Sequence, residues 1–248
     1  MMKNLILHIP HSSTNIPLKE GYCISDELLN QEILKLTDWF TDDLFENEID
    51  RSIKAPFSRI YCDTERFSDD SQEIMAKYGM GVLYEKTDTG EQLRIVTPEL
   101  RKNIIDNYYW KHHKQLTSSV QLQLEQFGSA RIVDCHSFPH QPHRRALDQS
   151  DYRPDFNIGT DAFHTPQEWK DASLKFFEEK GYTLGIDQPY SGSMVPKPYY
   201  NKDKNVHSIM LEINRRLYLQ EPTNEKSSEY QKTKQIVQEF LNLIREMD

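Results

Sequence analysis

RIVDCHS, residues 131–137, places Ile132, Val133 and Cys135 in one short apolar run that closes on His136. A run of that length and composition reads as a strand buried on both faces. Comparable runs stand at LILHIP (5–10), RIYC (59–62), GVLY (81–84), TLGI (183–186) and SIMLEI (208–213). Between them, residues 26–50, 98–127 and 166–180 carry apolar residues at helical spacing. The tail YQKTKQIVQEFLNLIREM does so most clearly and turns Ile236, Val237, Phe240, Leu241 and Ile244 to one side. Thr97-Pro98-Glu99 and Thr165-Pro166-Gln167-Glu168 read as N-caps with proline at the first helical position. Strand and helix therefore alternate. Alternation predicts a three-layer α/β domain with a largely parallel sheet, whose ligands collect beyond the carboxyl ends of the strands. The segment 137–160, with His140, His143, Arg144, Arg145 and Arg153, reads as an irregular functional loop.

The 248 residues carry 30 Lys+Arg against 39 Asp+Glu, a formal charge of −9. On a prior of about 100–200 residues per domain, and with no linker-like stretch, residues 1–248 are expected to form one domain. At 37% hydrophobic the chain can bury a sizeable core, and a mean hydropathy of −0.76 describes a well-solvated surface. The acidic balance opposes nucleic acid as a partner. No stretch approaches the roughly 20 apolar residues that span a bilayer, so no membrane partner is expected. The N-terminal MMKNLILHIPHSS resembles a signal peptide only superficially, since His8 interrupts its apolar run and no small-residue cleavage site follows. Cys23, Cys62 and Cys135 are odd in number and form no CxxC pair. The expected compartment is the reducing cytoplasm. Oligomeric state is open.

Three of the apolar runs end in side chains that bind metals: His11 after the first, Asp63 and Glu65 after RIYC, and His136. Ends of parallel strands lie side by side, so these can converge into a His, His, carboxylate set with one open position, the pattern of a catalytic zinc site. Each histidine read alone is a hydrogen-bonding strand-end residue. Glu212 lies within SIMLEINRR, where an ionised carboxylate needs a partner. One reading pairs it with Arg215 or Arg216; the other makes it a proton shuttle. Arg66 suits a bidentate clamp on a substrate carboxylate, or a structural role. IDQPYSGSMVP suits a pocket wall around Tyr190 and Ser191, or a simple turn. It lacks the GxSxG of a serine nucleophile. His112 and His113 are neighbours on a predicted helix and face different ways, so at most one looks inward, and solvation is the simpler reading for both. Asp161 and His164 are explained equally well by helix capping.

Taken together, IPHSST, CDTERF, the YY…HH helix, VDCHSF, RPDFNIGTDAFHTP, DQPYSGS and LEINRRLYL resemble the N-formylglutamate amidohydrolase family, in the same order and over most of residues 5–220. That resemblance implies a zinc exopeptidase-like fold, an α/β/α sandwich on a mixed sheet. It implies His11 and His136 as metal ligands and Glu212 as general acid/base, with one Zn²⁺ per chain. Asp63 is the first choice for third ligand and Glu65, which replaces the family's usual amide, the second. Arg66 with Arg144 or Arg145 would hold substrate carboxylates. The implied activity is hydrolysis of the amide of an N-acyl amino acid, with N-formyl-L-glutamate the leading substrate. A different zinc peptidase or deacylase, or a non-catalytic small-ligand binder on this scaffold, are the other readings.

Overall fold

The computed structural model describes residues 4–220 and 222–247. In chain order the strands of its main sheet are β1 (Ile6–Ile9), β2 (Arg51–Lys54), β3 (Ala130–Phe138), β4 (Phe156–Gly159), β5 (Leu184–Ile186) and β6 (Val206–Asn214). In space they run β2-β1-β3-β6-β4-β5. The first four of that order are mutually parallel, β4 is antiparallel to β6, and β5 follows β4 in parallel. The sheet is therefore mixed and mostly parallel. The helices are α1 (Asp26–Leu36), α2 (Thr41–Phe45), α3 (Pro98–Ile104), α4 (Trp110–Phe127), α5 (Gln167–Glu179) and α6 (Tyr230–Glu246).

Alternation along each strand divides the sheet into two unlike faces. Leu5, Leu7 and Ile9 of the first run, Val133 and Cys135 of β3, and Ile209, Leu211 and Ile213 of β6 share one core with Leu44 and Phe45 of α2, Trp169 and Phe177 of α5, and the apolar stripe of α6. The stripe is the one the tail periodicity predicts, and Phe240 stacks on Phe177 with centroids 5.4 Å apart. The opposite face meets α4 through Ile6, Ile132, Leu116 and Val120 near its amino end. Towards its carboxyl end that second face turns polar. Phe240→Ala is expected to cost ~3–5 kcal/mol, because a fully buried ring leaves a cavity that α5 and the sheet cannot close. A denaturant titration that reads less than 1 kcal/mol would place the main core elsewhere.

Four expectations change. RIYC and GVLY are turns, not strands, although Ile60, Tyr61, Cys62, Val82, Leu83 and Tyr84 are all buried. They fill two smaller cores against α1 and α3, so their burial needs no ladder. The 26–50 stretch breaks after Leu36 into two helices, with Phe40 left-handed at φ 61°, and is followed by the unforeseen edge strand β2. The loop 137–160 surrenders its ends to β3 and β4. Thr97 caps α3 as expected, accepting the Leu100 N–H at 3.2 Å. Thr165 does not cap α5: its hydroxyl donates to Ser208 O at 2.6 Å, and Pro166 stands at the N-cap.

Candidate active site

The same alternation selects the site. In β3, Asp134 and His136 lie on the face opposite Val133 and Cys135, and in β6 Glu212 lies opposite Leu211 and Ile213. His8 in β1 lies opposite Leu7 and Ile9. Parallel register then sets His8 beside Asp134 and His136 beside Glu212. Residues up to 126 positions apart meet because their strands are neighbours. His11 joins them from the turn after β1, and Asp38 arrives through the break between α1 and α2, where its N–H donates to His11 O at 3.0 Å.

Both site histidines are held from behind by carboxylates. His11 Nε2 lies 2.9 Å from Asp63 Oδ1, and His136 Nε2 lies 3.2 Å from Asp134 Oδ1 and 3.1 Å from Glu65 Oε1. In the tautomer that carries the proton on Nε2, each ring presents Nδ1 to one carboxylate oxygen: Asp38 Oδ2 is 3.0 Å from His136 Nδ1 and 3.6 Å from His11 Nδ1. His11 Nδ1 is buried and has no hydrogen-bond partner among the described residues. Glu65 Oε2 lies 3.8 Å from it, and ligand atoms of His11, Glu65 and His136 sit within 4.8 Å of one another. An imidazole lone pair without a partner, facing two carboxylates, could serve as the donor set of a divalent cation. Burial alone would lower the pKa of His136, yet Glu65, Asp134 and Asp38 hold it well above the ordinary value. The place attracts positive charge.

Asp63, the first choice for third ligand, instead supports His11. It is fully buried, receives Arg59 Nε and Nη2 at 3.2 and 2.9 Å and the Tyr84 hydroxyl at 2.9 Å, and faces the ring nitrogen that points away from Asp38. Glu65 stays within the donor group. Asp38 was not foreseen, since nothing in TDWF marks a ligand and only the helix break delivers it. Its second oxygen, Oδ1, accepts Arg215 Nη2 at 3.1 Å. Arg215 is thereby spent on Asp38, and Arg216 pairs with Asp155 at 2.7 Å, so neither is the partner of Glu212.

Glu212 is 7% exposed, and its Oε2 has no hydrogen-bond partner among the described residues. Burial, reinforced by Asp38 and Glu65 and opposed by His136, pushes its pKa up to about 8. It lines the same cavity of about 310 Å³ as His11, Asp38, Glu65 and His136. Tyr190, Ser191, Arg66 and Arg145 also face that cavity. Arg66 makes only loose ion pairs, 3.7 Å to Asp63 and 3.8 Å to Glu73, and is 27% exposed there. A π-helical turn at Ile105–Tyr109 brings Tyr109 to its backbone, donating to Arg66 O at 2.9 Å. Arg145 is committed through Nη1 to Tyr78 O, and Arg144 is exposed and outside the cavity lining. Their backbone N–H groups donate to the two oxygens of Asp88 at 3.2 and 3.1 Å, which ties this stretch of the loop to another residue of the cavity wall. His112, read as solvated, is instead 3% exposed and stands 2.8 Å from His8 Nε2. His113 diverges to Thr64 O at 2.8 Å. His164 is buried away from the cavity, against Val206 O at 2.7 Å. No helix among the described residues is long and apolar enough to cross a membrane.

Two curated relatives bear the name N-formylglutamate deformylase. One, from Pseudomonas putida, is 26% identical over 228 residues, covering 88% of this chain and 82% of its own. The other, from Pseudomonas aeruginosa, is 24% identical over 250 residues, covering 96% and 91%. The crystal structure of an N-formylglutamate amidohydrolase from Ralstonia eutropha JMP134 superposes with a TM-score of 0.84 at 24% identity, over 98% of this chain and 92% of its own. An Agrobacterium tumefaciens gene product superposes at 0.66 with 17% identity over the same shares. Both structures share the fold described above. The sequence profile of one family matches residues 3–219, which take in all six strands of the main sheet, and by that match the chain belongs to the N-formylglutamate amidohydrolase family.

Proposed function

We propose that this protein is a metal-dependent amidohydrolase that converts N-formyl-L-glutamate and water to formate and L-glutamate. The observation that carries the reading is the unpartnered, buried His11 Nδ1. It faces Asp38 and Glu65 beside His136, in one cavity with Glu212, whose Oε2 likewise has no partner among the described residues. The names of the relatives point to the same substrate. His11, His136, Asp38 and Glu65 would hold a Zn²⁺ ion, and Asp63 and Asp134 would orient the two rings. When bound, that ion supplies Lewis-acid chemistry, polarising the formyl oxygen and acidifying water.

The protein side chains do the rest. Glu212 removes a proton as the water oxygen bonds to the formyl carbon, and returns it to the nitrogen as the C–N bond breaks. A carboxyl group with a pKa raised towards neutrality is suited to both halves of that exchange. Arg66, the least committed guanidinium of the cavity, takes a substrate carboxylate. Arg66→Ala is expected to raise KM by roughly 10–100-fold, the loss of one charge-assisted contact, and to leave metal content unchanged. An unaltered KM assigns the clamp to another residue. The reading as a whole is tested by formate release from zinc-loaded protein given N-formyl-L-glutamate, N-acetyl-L-glutamate, N-formyl-L-leucine and a dipeptide. Preference for the first supports it. Turnover of the dipeptide alone, or of nothing, overturns it.

A further inference from the structure

The polar face of the sheet holds more ligand atoms than one ion uses. We propose that the chain binds a second divalent cation through His8, Asp134 and Glu65, with the Glu65 carboxylate shared between the two ions. The proposal rests on the metal reading above and extends it.

Three observations carry it. Ligand atoms of His8, Glu65 and Asp134 lie within 4.8 Å of one another. His8 Nδ1 is 2.7 Å from Asp134 Oδ1 and 3.7 Å from Glu65 Oε1, and Glu65 belongs equally to the His11 and His136 group. A carboxylate has two oxygens, and those of Glu65 already face different histidines, Oε1 towards His136 and His8 and Oε2 towards His11.

Charge is the second observation. The four carboxylates of the cluster are not matched alike. Asp63 has Arg59 and Arg66, and Asp38 has Arg215 and Arg59. The ion-pair partners of Glu65 and Asp134 among the described residues are all histidines. Asp134 is 2% exposed, and a buried carboxylate without a full countercharge is costly. A divalent ion supplies that charge. Protons on His8 and His136 are the competing way to supply it.

Third, the donors are braced in the manner of ligands. His8 is fully buried, and its far nitrogen meets His112 Nε2 at 2.8 Å, so a proton held between those two nitrogens on the His8 side leaves His8 Nδ1 bare towards Asp134 and Glu65. Asp134 Oδ2 is fixed by the Met194 N–H at 2.9 Å, which leaves Oδ1 for the cluster. One imidazole nitrogen and two carboxylates suit Zn²⁺ or Mn²⁺.

The test is stoichiometry. Full-length protein is stripped with chelator, titrated with Zn²⁺ against a chromophoric competitor, desalted and assayed for metal. Two equivalents are expected for the wild type and one for His8→Gln. Should that variant misfold, Mn²⁺ loading of the wild type gives an independent readout, an exchange-coupled electron paramagnetic resonance spectrum as the second equivalent enters. Saturation at one equivalent, or two equivalents retained by a folded His8→Gln protein, overturns the second site and leaves the first standing. Saturation at zero overturns both.

Discussion

Glu212→Gln is expected to lower kcat by about 10²–10⁴ while the protein keeps its metal and its fold. The substitution preserves shape but removes the basic oxygen, and among the described residues Arg215 and Arg216 are paired with Asp38 and Asp155, so no ion pair of Glu212 is broken. A structural half of a salt bridge would behave oppositely, with activity kept and roughly 3–5 kcal/mol of stability lost. The pH dependence separates the two further. Because the folded-state pKa of Glu212 is raised from 4.5 to about 8, the native chelator-stripped protein holds a proton across that interval that the unfolded chain has released. Its stability therefore falls as pH rises from about 4.5 through about 8, and the glutamine variant lacks that component. Thermal midpoints of both stripped proteins between pH 5 and pH 9, with turnover and metal content measured after zinc is restored, decide the matter. A zinc-loaded variant with near wild-type turnover would remove Glu212 from the reaction.

His136→Ala is the second large effect. Loss of a donor at the centre of the cluster should abolish tight metal binding and lower turnover by about 10³ or more, the equivalent of the several kcal/mol that Lewis-acid stabilisation supplies. Asp63→Asn, which alters the contact to His11 only at its far nitrogen, should cost the roughly 10–100-fold in metal affinity typical of an outer partner. The ordering of the two variants is the content of the prediction. Equal metal affinity in the wild type and His136→Ala, measured by chelator competition, would contradict the donor set.

Much of the scaffold was legible because β1, β3, β5 and β6 are short apolar runs and α6 keeps its period over four turns. β2 and β4 were not. Arg51–Lys54 is a four-residue edge strand with largely exposed side chains, and Phe156–Gly159 follows a loop rich in arginine and proline. RIYC and GVLY show the converse error, since apolar residues packed into turns look like strand residues from composition alone. In the site, His11, His136 and Glu212 lie on or just past β1, β3 and β6, whereas Glu65 and Arg66 reach the same cavity from a turn and not from a strand end. Asp38 reaches it from a helix break, and no local pattern announces it. His8 carried a usable signal: in LILHI it stands out of phase with Leu5, Leu7 and Ile9, as Asp134 and His136 stand out of phase with Val133 and Cys135. Choosing between Asp63 and Glu65 required knowing which nitrogen of His11 each one faces, and that is a property of three dimensions.

The two faces of the sheet also bear on how this protein can be changed. Leu7, Val133, Cys135, Leu211 and Ile213 look into the core beneath α2, α5 and α6, whereas His8, Asp134, His136 and Glu212 look the other way. Neighbouring codons therefore answer to different selections. A library that randomises every second position at the ends of β1, β3 and β6 would explore new reactivities among clones that still fold. Moving the same library by one codon would return mostly aggregates, and the few soluble survivors would retain the parental chemistry.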